Sequence, residues 1–359
     1  MRIDRTGSGR LFVGTALFAI ASLASSACSA AARPSPAATA AAPSSPAATE
    51  APATSASPSA APAIIKDGEA WVVYQWLDGN GDGIFLVRPD GTGHHPLIPD
   101  LEGSERHPGW SPDGQRIAFI HNTSADRSEL WVVDANGENS KKVASCDLPC
   151  NEWNYPEWSA DGTAIYVDTS ADAVGGPPTT FGIDRFDVSS GARTTVLERK
   201  DGMAAEQHRI SRDGQTVAYT RSADLSLGVA IYVADLKGGP ERRLTDPMLY
   251  GAYPDWTADG RIIFNTRDLG LFEETTEVAN LYVMDADGAH LTRLTDRAPL
   301  DRLTQPRVTP DGSRVIYTRV TGEGWGRRTL ALIVLDGSGD QLLTDPAVEG
   351  THPEWRPLP

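Results

Sequence analysis

From residue 71 onward the chain is a succession of short apolar runs cut by turn residues. Trp71-Val72-Val73-Tyr74, Ile84-Phe85-Leu86-Val87, Leu130-Trp131-Val132-Val133, Ile231-Tyr232-Val233 and Leu281-Tyr282-Val283-Met284 are rich in β-branched and aromatic side chains. They are too short for helices and predict strands. Asp-Gly pairs recur between them, as at Asp113-Gly114 and Asp287-Gly288. In such turns Gly supplies positive φ and the carboxylate bonds back to the local backbone. With 34 Gly and 26 Pro, the pattern is that of an all-β chain with many tight turns.

The runs repeat. His107-Pro108-Gly109-Trp110-Ser111-Pro112-Asp113-Gly114 aligns with Tyr155-Pro156-Glu157-Trp158-Ser159-Ala160-Asp161-Gly162. Gln207–Gly214, Tyr253–Gly260 and Gln305–Gly312 follow the same plan. From Ser111 to Ser159, Ser211, Thr257 and Thr309 the steps are 48, 52, 46 and 52 residues. That period suits a four-stranded propeller blade. Each repeat reads as strand a, carrying the Trp or its substitute, a Ser/Thr-x-Asp-Gly turn, strand b, strand c and a short strand d.

The ends specify the number of blades. The first repeat begins with strand b at Trp71 and lacks a strand a; the chain finishes with His352-Pro353-Glu354-Trp355, a strand a alone. Five whole repeats and one split repeat predict a six-bladed β-propeller of four-stranded antiparallel blades over 64–359. Pairing of the N- and C-terminal strands would close it and remove the open edge.

The HPxWSPDG pattern, followed by strand b and a later Tyr-Val-x-Asp-x-x-Gly stretch, resembles the TolB-like PD40 (WD40-like) β-propeller repeat family. There is no Trp-Asp dipeptide, so the WD40 type proper is not matched. The resemblance covers residues 64–359 and implies an envelope protein that binds partner proteins, although this fold also hosts enzymes. In TolB an α/β domain precedes the propeller, whereas here the repeats follow a tether. Related propellers precede serine-peptidase domains, but this sequence has no Gly-x-Ser-x-Gly elbow.

Residues 1–27 read as a signal peptide, with Arg2, Arg5 and Arg10 ahead of an apolar run from Leu11 to Ala24. That run is shorter than the roughly 20 residues of a membrane-spanning helix. Ser25-Ser26-Ala27-Cys28 resembles the bacterial lipoprotein cleavage box, with Ser25 where that pattern has Leu. It implies lipidation of Cys28. The alternative is ordinary signal-peptidase cleavage. Residues 28–63 are almost all Ala, Pro, Ser and Thr, too poor in apolar surface to offset ordering entropy, and read as a disordered tether. The expected location is the cell envelope, as a lipoprotein on the outer side of the cytoplasmic membrane or in the periplasm, reaching the membrane through its lipid only.

A net charge of −16 argues against nucleic acid as a partner. In an exported protein Cys146 and Cys150 are expected to form a disulfide. Asp78–Gly83 begins like a calcium loop but has Pro89 where an EF-hand needs Glu, so it reads as a hairpin.

The a–b turns are uniformly tight, whereas the b–c loops and d–a connections vary, which places recognition on the b–c/d–a face. The residues opening each strand a lie at that face, around the channel mouth: His107, Tyr155, Gln207, Tyr253, Gln305 and His352. Trp153, Phe272, Trp325 and Arg327 are candidate rim anchors. The leading expectation is a monomeric binding module for a protein or envelope component, with no catalytic residue, metal or cofactor. The alternative is a hydrolase or lyase acting on a carbohydrate or lactone-like substrate at the mouth, using His107, His352 and a divalent metal.

Overall fold

The computed structural model describes residues 65–358, apart from 67, 78–81, 124–126, 148–149, 172–179, 200–202, 223–227, 269–277, 325 and 346–347. The signal peptide, the tether, Cys28, Phe272, Trp325 and most of the Asp78–Gly83 loop therefore lie outside the described residues.

The architecture is an all-β propeller of four-stranded antiparallel blades. Three strands come first: β1 (Val72–Leu77), β2 (Asp82–Val87) and β3 (His95–Pro96). The next sheet runs β4 (Ser104–Trp110), β5 (Arg116–Asn122), β6 (Ser128–Asp134), β7 (Lys141–Ser145). It is followed by β8 (Cys150–Trp158), β9 (Ala164–Ala171), β10 (Thr180–Asp187) and β11 (Arg193–Arg199), again in sequence order. A further sheet holds β12 (Ala205–Ile210), β13 (Thr216–Ser222), β14 (Val229–Asp235) and β15 (Arg242–Arg243).

Next come β16 (Ala252–Trp256), β17 (Ile262–Asp268), β18 (Val278–Met284) and β19 (Thr292–Arg293), then β20 (Asp301–Val308), β21 (Arg314–Thr321), β22 (Arg327–Val334) and β23 (Gln341–Leu342). The sequence predicts two separate sheets here, but hydrogen bonding joins them into one of eight strands. The join is a single parallel bridge, Ala279 to Arg302, between β18 and β20. Finally β24 (Gly350–Trp355) pairs antiparallel with β1, Val72 opposite Trp355 and Val73 opposite Glu354.

Packing follows the same order. Trp71, Val73 and Leu86 pack with Trp110, Ile117 and Phe119 of the following sheet. Ile120 and Leu130 pack with Trp153, Trp158 and Phe186. Ile183 meets Val217 and Tyr219. Ile231 meets Trp256 and Phe264. Ile263 and Leu281 meet Leu303 and Tyr317. Last, Ile316, Leu330 and Leu332 pack with Val72, Tyr74 and Phe85 of the first sheet. Each large side chain removed from water contributes about 1.5–3 kcal/mol, so the apolar drive lies between neighbouring sheets. The strand-a tryptophans also clip them together: Trp158 Nε1 donates to Gly109 O at 3.1 Å and Trp256 Nε1 to Arg209 O at 3.0 Å.

The Ser/Thr-x-Asp-Gly turns form as their chemistry dictates. Ser111 donates to Asp113 Oδ1 at 2.5 Å and Thr309 to Asp311 Oδ1 at 2.6 Å. Gly114 and Gly312 take φ of 64° and 73°.

Candidate functional site at the channel mouth

The six residues predicted to open each strand a share one uncommon conformation. His107, Tyr155, Gln207, Tyr253, Gln305 and His352 have φ of 51–60°. Left-handed backbone is rare for side chains of this size. In every blade it coincides with a register shift against strand b, for example between Arg106 and Gly109 or Thr304 and Arg307. The extra residue of such a bulge re-aims side chains. A strained conformation persists only where its surroundings hold it.

Side chains from elsewhere in the ring provide that hold. Gln305 Oε1 accepts from the His352 backbone N–H at 3.0 Å and from the Thr318 and Thr351 hydroxyls at 2.8 and 2.6 Å. Gln207 Oε1 accepts from the Tyr253 N–H at 3.0 Å and from Thr220 at 2.8 Å. The backbone N–H of Gln207 donates to Asp168 in turn.

Four of the six residues carry rings, and these meet at the mouth. His107 stacks on Tyr155 with centroids 4.3 Å apart and meets His352 edge-on, also at 4.3 Å. Tyr155 and Tyr253 approach at 6.1 Å with hydroxyls 3.5 Å apart, and Tyr253 lies 6.4 Å from His352. Gln305 joins through Nε2, which donates to His352 Nε2 at 2.8 Å. Burial pushes the His107 imidazole down to about 3 and that of His352 well below its ordinary value, so both rings are neutral at pH 7. Gln207 lines the same opening without joining the ring contacts.

Outside the rings lies a funnel of about 1040 Å³. Its wall includes Arg106 of β4, Glu206 of β12, Arg302 of β20 and Arg328 of β22, with Tyr250 from the connection that precedes β16. Arg106 pairs with Glu152 at 2.9 Å. Burial, then the nearby Asp168, raises the Glu206 carboxyl to about 7.

Beneath the rings is a layer the sequence reading missed. Two residues after each mouth position stand Gly109, Glu157, Arg209, Asp255, Arg307 and Glu354. Arg209 lies 3.9 Å from Glu157, Asp255 and Glu354 alike. Burial raises Glu157, and lifts Glu354 to about 7 against the pull of Arg209 and Arg307. Burial, then Arg209 beside it, lowers Arg307 to about 10. The signal was one alignment column with charges of both signs.

One rim expectation changes. Trp153 is 1% exposed and packs on Phe186 with centroids 4.8 Å apart, beside the Cys146–Cys150 disulfide. It belongs to the core because β8 begins at Cys150 and draws Trp153 into a strand. His94, half-buried, stacks on Phe85 with centroids 5.0 Å apart, and His95 is buried beside it. Arg327 is exposed at the start of β22.

Among the described residues no group of three His, Cys, Asp or Glu is placed to hold a metal ion, and no helix is long and apolar enough to cross a membrane.

Comparison with known proteins bears out the β-propeller fold. The chain is 23% identical over 189 residues to the uncharacterized peptidase YuxL of Bacillus subtilis (strain 168), covering 52% of this chain and 26% of that protein. It therefore spans about a quarter of that relative's length. It is 24% identical over 221 residues to the uncharacterized protein Atu1656 of Agrobacterium fabrum, covering 59% of this chain and 68% of the relative. The crystal structure of TolB from Acinetobacter baumannii superposes with a TM-score of 0.62 at 21% identity, over 81% of this chain and 67% of that one. The chain is thus similar in fold to the TolB β-propellers, and its residues 85–260 match the family described as the lipoprotein LpqB beta-propeller domain.

Proposed function

We propose that this chain is an exported binding module that recognises a protein or cell-envelope component through the funnel on its b–c/d–a face. The observation that carries the reading is the funnel itself: a wide concavity whose lining includes His107, Tyr253 and His352, all in left-handed backbone. Preorganised groups bind at a reduced ordering cost. We read the eight-stranded sheet as two successive repeats, which makes six, with the β1–β24 pairing as the closure of the ring. Residues 1–27 direct export, Cys28 carries the lipid and 28–63 form the tether. The match to a lipoprotein propeller family supports this arrangement.

Crosslinked capture from native envelopes tests the reading. The wild-type chain retains a partner that is lost with Tyr253→Ala, while Asp213→Ala on the opposite face retains it. Equal capture by both variants contradicts the proposal.

The contact of His107 with His352 favours one second reading, a lyase or hydrolase acting on a carbohydrate or lactone-like substrate in the funnel. Turnover of such a substrate that vanishes with His107→Ala would favour it over binding alone.

A further inference from the structure

Between the mouth rings and the charged layer is a small cavity lined by His107, Tyr155, Arg209, Arg307, His352 and three of the prolines that follow the mouth residues. Its walls carry hydrogen-bond donors that lack acceptors. Gln305 Nε2 donates to His352 Nε2, which makes that nitrogen the acceptor and places the imidazole proton on Nδ1. Among the described residues His352 Nδ1 and His107 Nδ1 are buried with no hydrogen-bond partner, and Arg209 Nε makes no hydrogen bond, its nearest carboxylate oxygen being Asp255 Oδ1 at 3.9 Å.

Arg307 is only 8% exposed. Among the described residues its guanidinium makes one hydrogen bond, from Nη1 to the Pro306 carbonyl at 2.8 Å. The carboxylates of Glu157, Asp255 and Glu354 gather on Arg209 instead, and among the described residues none lies within ion-pair distance of Arg307. A largely buried guanidinium with one hydrogen bond, beside a buried imidazole N–H with nothing to accept it, gains from an acceptor that completes the set. Burial lifts Glu354 to about 7, so that carboxyl is partly protonated near neutral pH, and burial raises Glu157 as well.

We propose that this throat is an anion site, holding one small monovalent anion or the carboxylate of a larger molecule lying in the funnel, with the Arg307 guanidinium and the His352 Nδ1–H as its donors. The site stands on the throat alone and does not depend on what the funnel recognises. A bound anion stabilises the folded chain by mass action.

Thermal unfolding of the full chain in sodium isethionate, whose sulfonate is too bulky for the throat, provides the test. Chloride, formate or N-acetylglycine is added at constant ionic strength. A saturable rise of a few degrees with chloride and formate alone identifies a free ion. A rise with N-acetylglycine as well shows that a carboxylate borne on a larger body reaches the site. Arg307→Gln and His352→Phe should each raise the anion concentration for half the effect at least tenfold while keeping the wild-type near-UV circular dichroism. If Arg307→Gln does not fold, His352→Phe carries the test. No rise with any of the three anions, or an unchanged rise in the folded variants, overturns the proposal.

Discussion

Val72 in the first strand lies opposite Trp355 in the last, so the two ends of the repeat region share one sheet. The next residue fastens the junction. Arg356 is 2% exposed; its Nε donates to Gly114 O at 2.8 Å and its Nη1 to the Lys66 and Glu69 carbonyls at 2.9 Å. Arg356→Ala leaves those carbonyls without their donor and should cost about 2–4 kcal/mol. Urea unfolding measures it, and a midpoint within error of wild type would contradict this role. Deleting residues 350–359 should cost more still, because it strips β24 from β1.

Much of this architecture was legible in the sequence because its signals are local. The Ser/Thr-x-Asp-Gly turns need no tertiary context, and the unmatched strands at the two ends pointed to each other. The mouth positions were legible as well, since one alignment column collects His107, Tyr155, Gln207, Tyr253, Gln305 and His352. The charged layer was not. A bulge breaks the two-residue alternation of a strand, so the side on which Glu157, Arg209 and Glu354 emerge cannot be read by counting. The merging of two sheets through Ala279 and Arg302 likewise depends on a single bridge with no sequence signature.

The charged layer makes stability depend on pH. Glu354 has its folded-state value raised from 4.5 to about 7 by burial. A carboxyl raised in this way binds its proton more tightly when folded. Its contribution is complete below about pH 4.5 and is lost as the pH climbs through about 7. Glu354→Gln should therefore gain stability relative to wild type between pH 5 and pH 8, as read from paired urea midpoints. His107, lowered to about 3, acts with the opposite sign: its contribution is present above about pH 6.5 and is lost as the pH falls toward 3. A wild-type-minus-Glu354→Gln difference that stays flat from pH 5 to 8 would argue against the buried-acid assignment.

Gln305 holds the mouth more firmly than the tyrosines do. Its Oε1 accepts three hydrogen bonds, including the His352 backbone N–H that stabilises a left-handed residue. Gln305→Leu should cost about 2–3 kcal/mol, whereas Tyr253→Phe, which loses one long hydroxyl contact, should cost less than about 1 kcal/mol. Chemical denaturation of the two variants side by side decides the ranking, and the reverse order would refute it.

The Cys146–Cys150 disulfide closes a short loop beside Trp153. Loop-entropy arguments assign so small a ring about 2 kcal/mol. Reduction, or paired Cys→Ser substitution, should lower the unfolding free energy by about that amount and leave the far-UV spectrum unchanged. Global unfolding on reduction would show that the bridge carries more of the fold than its loop length allows.

The central claim is that partners enter by the funnel. Site-specific photo-crosslinking in intact cell envelopes tests it most directly, with p-benzoylphenylalanine placed at Tyr253 within the mouth or at Asp213 on the opposite face. The account predicts a discrete crosslinked adduct from Tyr253 and none from Asp213. An adduct from Asp213 with none from Tyr253 would contradict it.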